Sequence, residues 1–297
     1  MKHMKQEGIE QATQGSGSFV KMVVAIALTF GIYYVVKPIT PPLVNLLGWD
    51  AQFVGLSMRS ILAVAGVIAL GGKSWLLPSP SAWARAWRFY GYLVFLNIII
   101  GVVAFLLTMG TLTPEQINAL TPNAVLHNAV YLTVLCILVG INEEALFRGL
   151  LFGGFLSAMG KSRRGILCAA IVSSLIFGFF HVMGDLDFSN GLGIAQAMMK
   201  TLETGMVGFV LCVPVLEKRN LTGAMQVHAF IDWVVIMASV MTGLPETIGT
   251  YVSADATVSI AAIVLHSVLC AIYLPKCIKC VKCLFALDEP QMGPFAS

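Results

Sequence analysis

Eight apolar stretches, at roughly residues 19–36, 52–71, 89–109, 131–159, 165–182, 193–216, 221–241 and 257–275, constrain this chain before anything else does. Each is close to the ~20 residues a helix needs to cross ~30 Å of hydrocarbon. In lipid a backbone must satisfy its own hydrogen bonds, and runs of this length do so as helices. Of 297 residues only 11% are charged and 58% are hydrophobic, too few charges to cover a soluble domain of that size. The sequence therefore predicts an all-α fold, a polytopic transmembrane helical bundle of about eight spans.

Charge orients the bundle. Lys2 and Lys5 precede the first span; Lys73, Arg85 and Arg88, then Lys161, Arg163 and Arg164, then Lys218 and Arg219, then Lys276, Lys279 and Lys282 fall in alternate loops or at the C-terminal end. The intervening loops hold only Lys37. Basic residues collect on the cytoplasmic side, so both termini are expected there. The net charge of +3 needs no nucleic-acid partner. Residues 1–18 read as a disordered cytoplasmic tail, 19–275 as the bundle and 276–297 as a basic, cysteine-containing cytoplasmic tail. The prolines at 38, 41 and 42 read as the end of the first span, and Trp75, Trp83 and Trp87 as an interfacial segment. A short helix is expected at the outer surface within 111–130. Without an organelle-targeting presequence or long soluble extensions, a bacterial inner membrane is the expected location.

Ionisable groups inside the spans are few, and each is a functional-site hypothesis with a partner to be named. They are Arg59; Glu143, Glu144 and Arg148; His181; Lys200 and Glu203; His228 and Asp232; and His266. Lys200 and Glu203, three apart on a helix, can neutralise one another, and His266 reads as a core histidine. Glu144 and Arg148 are four apart on one face, which leaves Glu143 turned toward another neighbour. His228 and Asp232 are also four apart, the spacing with which a carboxylate orients an imidazole. His181 ends its span on an aromatic, glycine-containing surface. The seven cysteines suggest no disulfide framework, and the run Cys277, Cys280, Cys283 lacks a fourth ligand for a metal cluster.

Three patterns in this order, Glu143-Glu144-x-x-x-Arg148, Phe177-x-x-x-His181 and His228-x-x-x-Asp232, resemble the motifs of the CAAX-protease and bacteriocin-processing family of intramembrane proteases. The resemblance covers roughly residues 130–241. It implies an endopeptidase acting on a membrane-associated protein or peptide substrate. Glu143 and His181 would hold and deprotonate the water, and His228, with Asp232 behind it, would face the oxyanion. Glu144 and Arg148 would fix the helix that carries the base. The family pattern also allows asparagine at 232, which can donate a hydrogen bond where an ionised aspartate only accepts.

No cofactor is expected. The alternative is zinc held by Glu143, His181 and His228, although no His-Glu-x-x-His helix is present. A proton-coupled transporter would use the same groups as a relay, but no duplicated half is visible. A non-cleaving membrane scaffold is the third reading. At 1.5 Å per residue, Glu143 and His181 lie ~25 Å above the basic loops and His228 about half as far. For them to meet, the fourth span must bend or the 160–165 turn must lie inside the protein.

Overall fold

A computed structural model describes residues 2–186, 190–242, 252–253, 255–287 and 293–295. Among them the regular structure is helical. In chain order it comprises α1 (Lys2–Leu47), α2 (Ala51–Ala69), a 3-10 turn (Gly72–Leu76), α3 (Pro80–Thr111), α4 (Pro114–Ala119) and α5 (Pro122–Glu143). A π-helical segment (Glu144–Phe152) continues α5 into α6 (Gly153–Met159), and α7 (Arg163–Phe180), α8 (Gly191–Lys218), α9 (Thr222–Met241) and α10 (Ala256–Phe285) follow. Seven of these rods, with α5 to α6 taken as one, are long and apolar enough to cross a membrane, and the shorter apolar stretch Thr222–Ala238 of α9 packs among them. The chain is a multi-pass membrane protein.

Side-chain oxygens mark where helices begin. Asp50, Ser79, Thr121, Ser162, Asn190 and Asp255 each accept an N–H of the first turn that follows, an otherwise orphaned donor. Thr113 and Gln116 form a reciprocal capping box on α4, the short helix expected within 111–130.

Four boundaries differ from the sequence reading. The first helix starts at Lys2, so the polar residues expected as a disordered tail over 1–18 continue it from residue 2; once a span has nucleated a helix, each further residue adds a bond at little cost. Pro38, Pro41 and Pro42 lie inside α1 and do not end it. The carbonyls that lose their donors belong to the exposed Tyr34, Lys37 and Pro38. Helix α10 runs on to Phe285 through the first half of the basic tail expected over 276–297. Trp75 is buried, and its carbonyl accepts the Leu221 N–H, so it is a packing residue and not an interfacial anchor.

The 161–164 turn is exposed, whereas Asn220 and Leu221, between α8 and α9, are buried. Asn220 donates to the Leu77 carbonyl at 2.7 Å. Helix α9 thus begins at a buried turn held against the Trp75–Leu77 segment.

Glycines set the helix separations, because lipid supplies no hydrophobic drive between helices and association rests on close packing. A Cβ at Gly140 of α5 would sit 2.5 Å from the Met225 carbonyl oxygen and 3.0 Å from the Ala229 Cβ of α9. A Cβ at Gly178 of α7 would overlap the Thr201 carbonyl of α8. Both glycines lie within a turn of a candidate site residue. Gly140→Leu should force α5 from α9 and destabilise the protein by about 1–3 kcal/mol or more, read as a lower unfolding temperature in detergent. Gly91→Leu, where nothing lies within 4 Å, should leave that temperature unchanged.

Candidate active site

The site is built on the π segment. A π turn closes its backbone bonds one residue later than an α turn, an arrangement rare in helices and frequent at functional sites. At the junction the Glu144 N–H reaches the carbonyls of both Gly140 and Ile141. All nine residues of the segment are buried, among them Glu144 at 0% exposure and Arg148 at 2%. Two charges so enclosed must satisfy one another. Arg148 Nη1 lies 3.0 Å from Glu144 Oε1, and its guanidinium stacks over the Phe177 ring at 4.2 Å. Gly208 of α8 leaves room for that guanidinium, since a Cβ there would come within 3.1 Å of Nη2.

The same Glu144 oxygen also reaches across to α9, where His228 Nδ1 lies 2.7 Å away. A carboxylate can only accept, so Nδ1 carries the hydrogen of this bond. The other ring nitrogen, Nε2, faces Glu143 Oε2 at 3.4 Å and Asp232 Oδ2 at 3.6 Å. Adjacent glutamates therefore address opposite edges of one imidazole.

His181, at the end of α7, completes the group. Its Nδ1 lies 2.9 Å from the Phe177 carbonyl oxygen; a carbonyl cannot donate, so Nδ1 is the protonated nitrogen and Nε2 is turned toward Glu143 Oε2 at 3.8 Å. Phe177 also meets the rings of His181 and His228 edge-on, with centroids 4.7 and 6.1 Å away. One phenylalanine thus fixes an arginine with its face, both imidazoles with its ring and one of them with its carbonyl. The Phe-x-x-x-His spacing was the only sequence signal of this role.

All six residues singled out from the sequence, Glu143, Glu144, Arg148, His181, His228 and Asp232, converge here. Their pairing differs from the sequence reading in one respect. Asp232 does not stand behind His228 at Nδ1; Glu144 takes that place, and Asp232 shares the Nε2 edge with Glu143. The four-residue spacing of His228 and Asp232 brings them near each other but leaves open which nitrogen is met. Lys200 and Glu203 pair at 3.0 Å as their spacing predicts, and His266 Nδ1 lies 3.7 Å from Glu203, a neighbour supplied by packing between helices.

Among the described residues no group of three or more His, Cys, Asp or Glu side chains is arranged to hold a metal ion. The cysteines are all free thiols.

The chain is a multi-pass helical protein with carboxylates and imidazoles enclosed at one point of its bundle. Residues 125–234 match the family described as Rce1-like, type II CAAX prenyl endopeptidase. The matched interval contains all six site residues. No curated protein and no solved structure matches the chain.

Removing either buried charge leaves the other without compensation. Glu144→Ala and Arg148→Ala should each destabilise the protein by about 3–5 kcal/mol, measured by unfolding in detergent. Arg148→Lys keeps the charge but loses the planar fork and the ring stacking, and should fall between Arg148→Ala and the native protein.

Proposed function

We propose that the chain is an intramembrane endopeptidase that hydrolyses a peptide bond of a membrane-associated protein or peptide, with Glu143 as general base and no resident metal. The observation that carries this reading is the convergence of Glu143 Oε2 with Nε2 of His181 and Nε2 of His228 at 3.8 and 3.4 Å. The first distance is too long for a direct hydrogen bond and suits a water bound between the two groups. Such a water donates one hydrogen to Glu143 and the other to the lone pair of His181 Nε2. Its oxygen attacks the substrate carbonyl carbon, and Glu143 takes the proton.

Charge then develops on the carbonyl oxygen. His228 donates to it as an imidazolium: Glu144 holds Nδ1–H, and the carboxylates of Glu143 and Asp232 at the other edge favour a second proton on Nε2. When the C–N bond breaks, the proton held by Glu143 passes to the departing amine, and Glu143 returns to its starting state. Arg148 and Glu144 act by holding His228 and the base-bearing segment. Asp232 lies on the reacting edge, where it positions the His228 ring against Glu143.

In the membrane of a bacterial cell, with both termini cytoplasmic as the basic loops imply, the substrate would reach this site from the bilayer. The motif-bearing core, 130–241, would carry the chemistry.

Glu143→Ala should lower cleavage by at least about a hundredfold. The measurement compares neo-N-termini in membranes of cells carrying native or variant protein at matched abundance. Fragments lost with Glu143→Ala name a substrate, whereas no difference between the two overturns the protease reading in favour of a transporter or scaffold. Asp232→Asn should retain cleavage within about tenfold, since the amide can donate at the same edge. In a purified active sample, 1,10-phenanthroline or EDTA should leave the rate unchanged; loss restored by zinc would overturn the metal-free mechanism.

A further inference from the structure

Past α10 the chain returns to the bundle. Gly293, Pro294 and Phe295 lie in a slot between α1, α2, the 3-10 turn and α6. The Phe295 ring is fully buried and belongs to the same apolar cluster as Val67 of α2 and Leu146, Phe147, Leu150 and Leu151 of the π segment. Its N–H donates to the Ser157 hydroxyl at 3.1 Å, and its carbonyl accepts the Lys21 ammonium at 2.9 Å. Glycines shape both sides of this contact. A Cβ at Gly72 would come 3.0 Å from the Phe295 ring, one at Gly153 would come 3.0 Å from Pro294 Cγ, and one at Gly293 would overlap Ser157.

The slot closes on the end of the segment that carries the site. Pro294 covers Gly153, the residue at which the π segment passes into α6. Val67 is wedged between slot and segment: a Cβ at Gly72 would meet its Cγ1 at 2.8 Å, and one at Gly149, beside Arg148, would meet its Cγ2 at 2.7 Å. Phe295, Val67 and the π segment are therefore packed in series. A π turn carries more residues than an α turn and is rare, because the same residues ordinarily bond as α-helix. Reversion to α would turn one flank of the segment against the other by about 100°, the angle of one residue. That rotation is blocked when both flanks are held. Gly140 packs the leading flank against α9; at the other flank Gly154 rests on Ala25 of α1, and Pro294 and Phe295 pack over Gly153.

We infer that Gly293-Pro294-Phe295 is a releasable strap. Seated, it keeps the π segment in the register that holds Glu143 and Glu144 against His228; released, it lets that segment open, and the slot then accepts the same sequence as a separate peptide. The occupant is this stretch of the chain itself, since glycine, proline and phenylalanine each meet a matched surface and the backbone meets Ser157 and Lys21. One aromatic anchor makes the closure reversible: burying a phenylalanine shifts an equilibrium by roughly ten- to hundredfold. The effect of the strap on cleavage rests on the protease reading; its effect on the π segment does not.

The test reads backbone hydrogen exchange by mass spectrometry on the full chain in neutral detergent, with a fluorescent peptide of residues 291–297 as probe. Phe295→Ala and Gly293→Leu should each speed exchange over 144–152 by roughly ten- to hundredfold, while α3 exchanges as in the native protein. The peptide should bind either variant at least about tenfold more tightly than the native protein, whose slot is filled, and should return exchange to the native rate. The same peptide carrying Phe295→Ala should do neither. Phe295→Leu, which fills part of the slot, should give an intermediate rate and serves where Phe295→Ala does not fold. Unchanged exchange over 144–152 overturns the inference, as does an increase shared by α3, or a peptide that fails to restore the native rate. Cleavage should fall and recover with exchange. Cleavage lost while exchange is unchanged removes the strap and leaves the protease reading standing; exchange that responds as expected in a protein that cleaves nothing does the reverse.

Discussion

One oxygen of Glu144 ties the molecule together. Oε1 receives Arg148 from its own segment and His228 from α9, and Arg148 in turn rests on Phe177 of α7 beside Gly208 of α8. Four separate pieces of chain therefore meet around a carboxylate that has no access to solvent. In a low-dielectric interior an unpaired charge would cost several kcal/mol, so the arrangement is favourable only when all four pieces are in place. That all-or-none requirement makes the site a device for selecting one packing of helices that are otherwise uniformly greasy. The same requirement fixes the His228 ring, whose Nδ1 meets Glu144 and whose Nε2 faces Glu143.

Contacts of 2.7 and 3.0 Å between side chains on different helices need the backbones to come close first. Gly140 faces the Met225 carbonyl one turn before the paired glutamates, and Gly178 faces the Thr201 carbonyl one turn before His181. Small residues gain dispersion contact where lipid gives no other reason for helices to associate. Each close crossing also delivers a polar group across a short gap. Packing and chemistry are therefore coupled at the same positions, and a methyl group at either glycine would disturb both.

Much of this was legible in the sequence, for a physical reason. Solubility in hydrocarbon is a property of a short stretch of chain, so the spans and the helical class follow from composition along the sequence. Ion pairs at three or four residues follow from the helical repeat, as with Glu144 and Arg148 or Lys200 and Glu203. What was not legible depends on which helix lies against which. The Glu144–His228 bond joins residues 84 apart, and no local spacing announces it; the carboxylate nearer in sequence, Asp232, was read in its place. The π segment was hidden because the same residues are compatible with an α-helix, and the buried start of α9 because Asn220 and Leu221 read as an ordinary surface turn. Prolines that usually end helices were tolerated at 38, 41 and 42, where exposure relieves the carbonyls they leave without donors.

The doubled glutamate acquires its meaning from exposure. Glu144, sealed from solvent, is committed to two fixed partners and has no freedom to exchange a proton. Glu143 retains 21% side-chain exposure, while its Oε2 is enclosed and has no hydrogen-bond partner in the protein, an acceptor left for a bound molecule to satisfy. Asp232 comes to the same His228 nitrogen, and two carboxylates at one edge repel unless the charge of an imidazolium or a proton lies between them. A proton on His228 Nε2 answers both carboxylates at once, with Glu144 at the opposite edge.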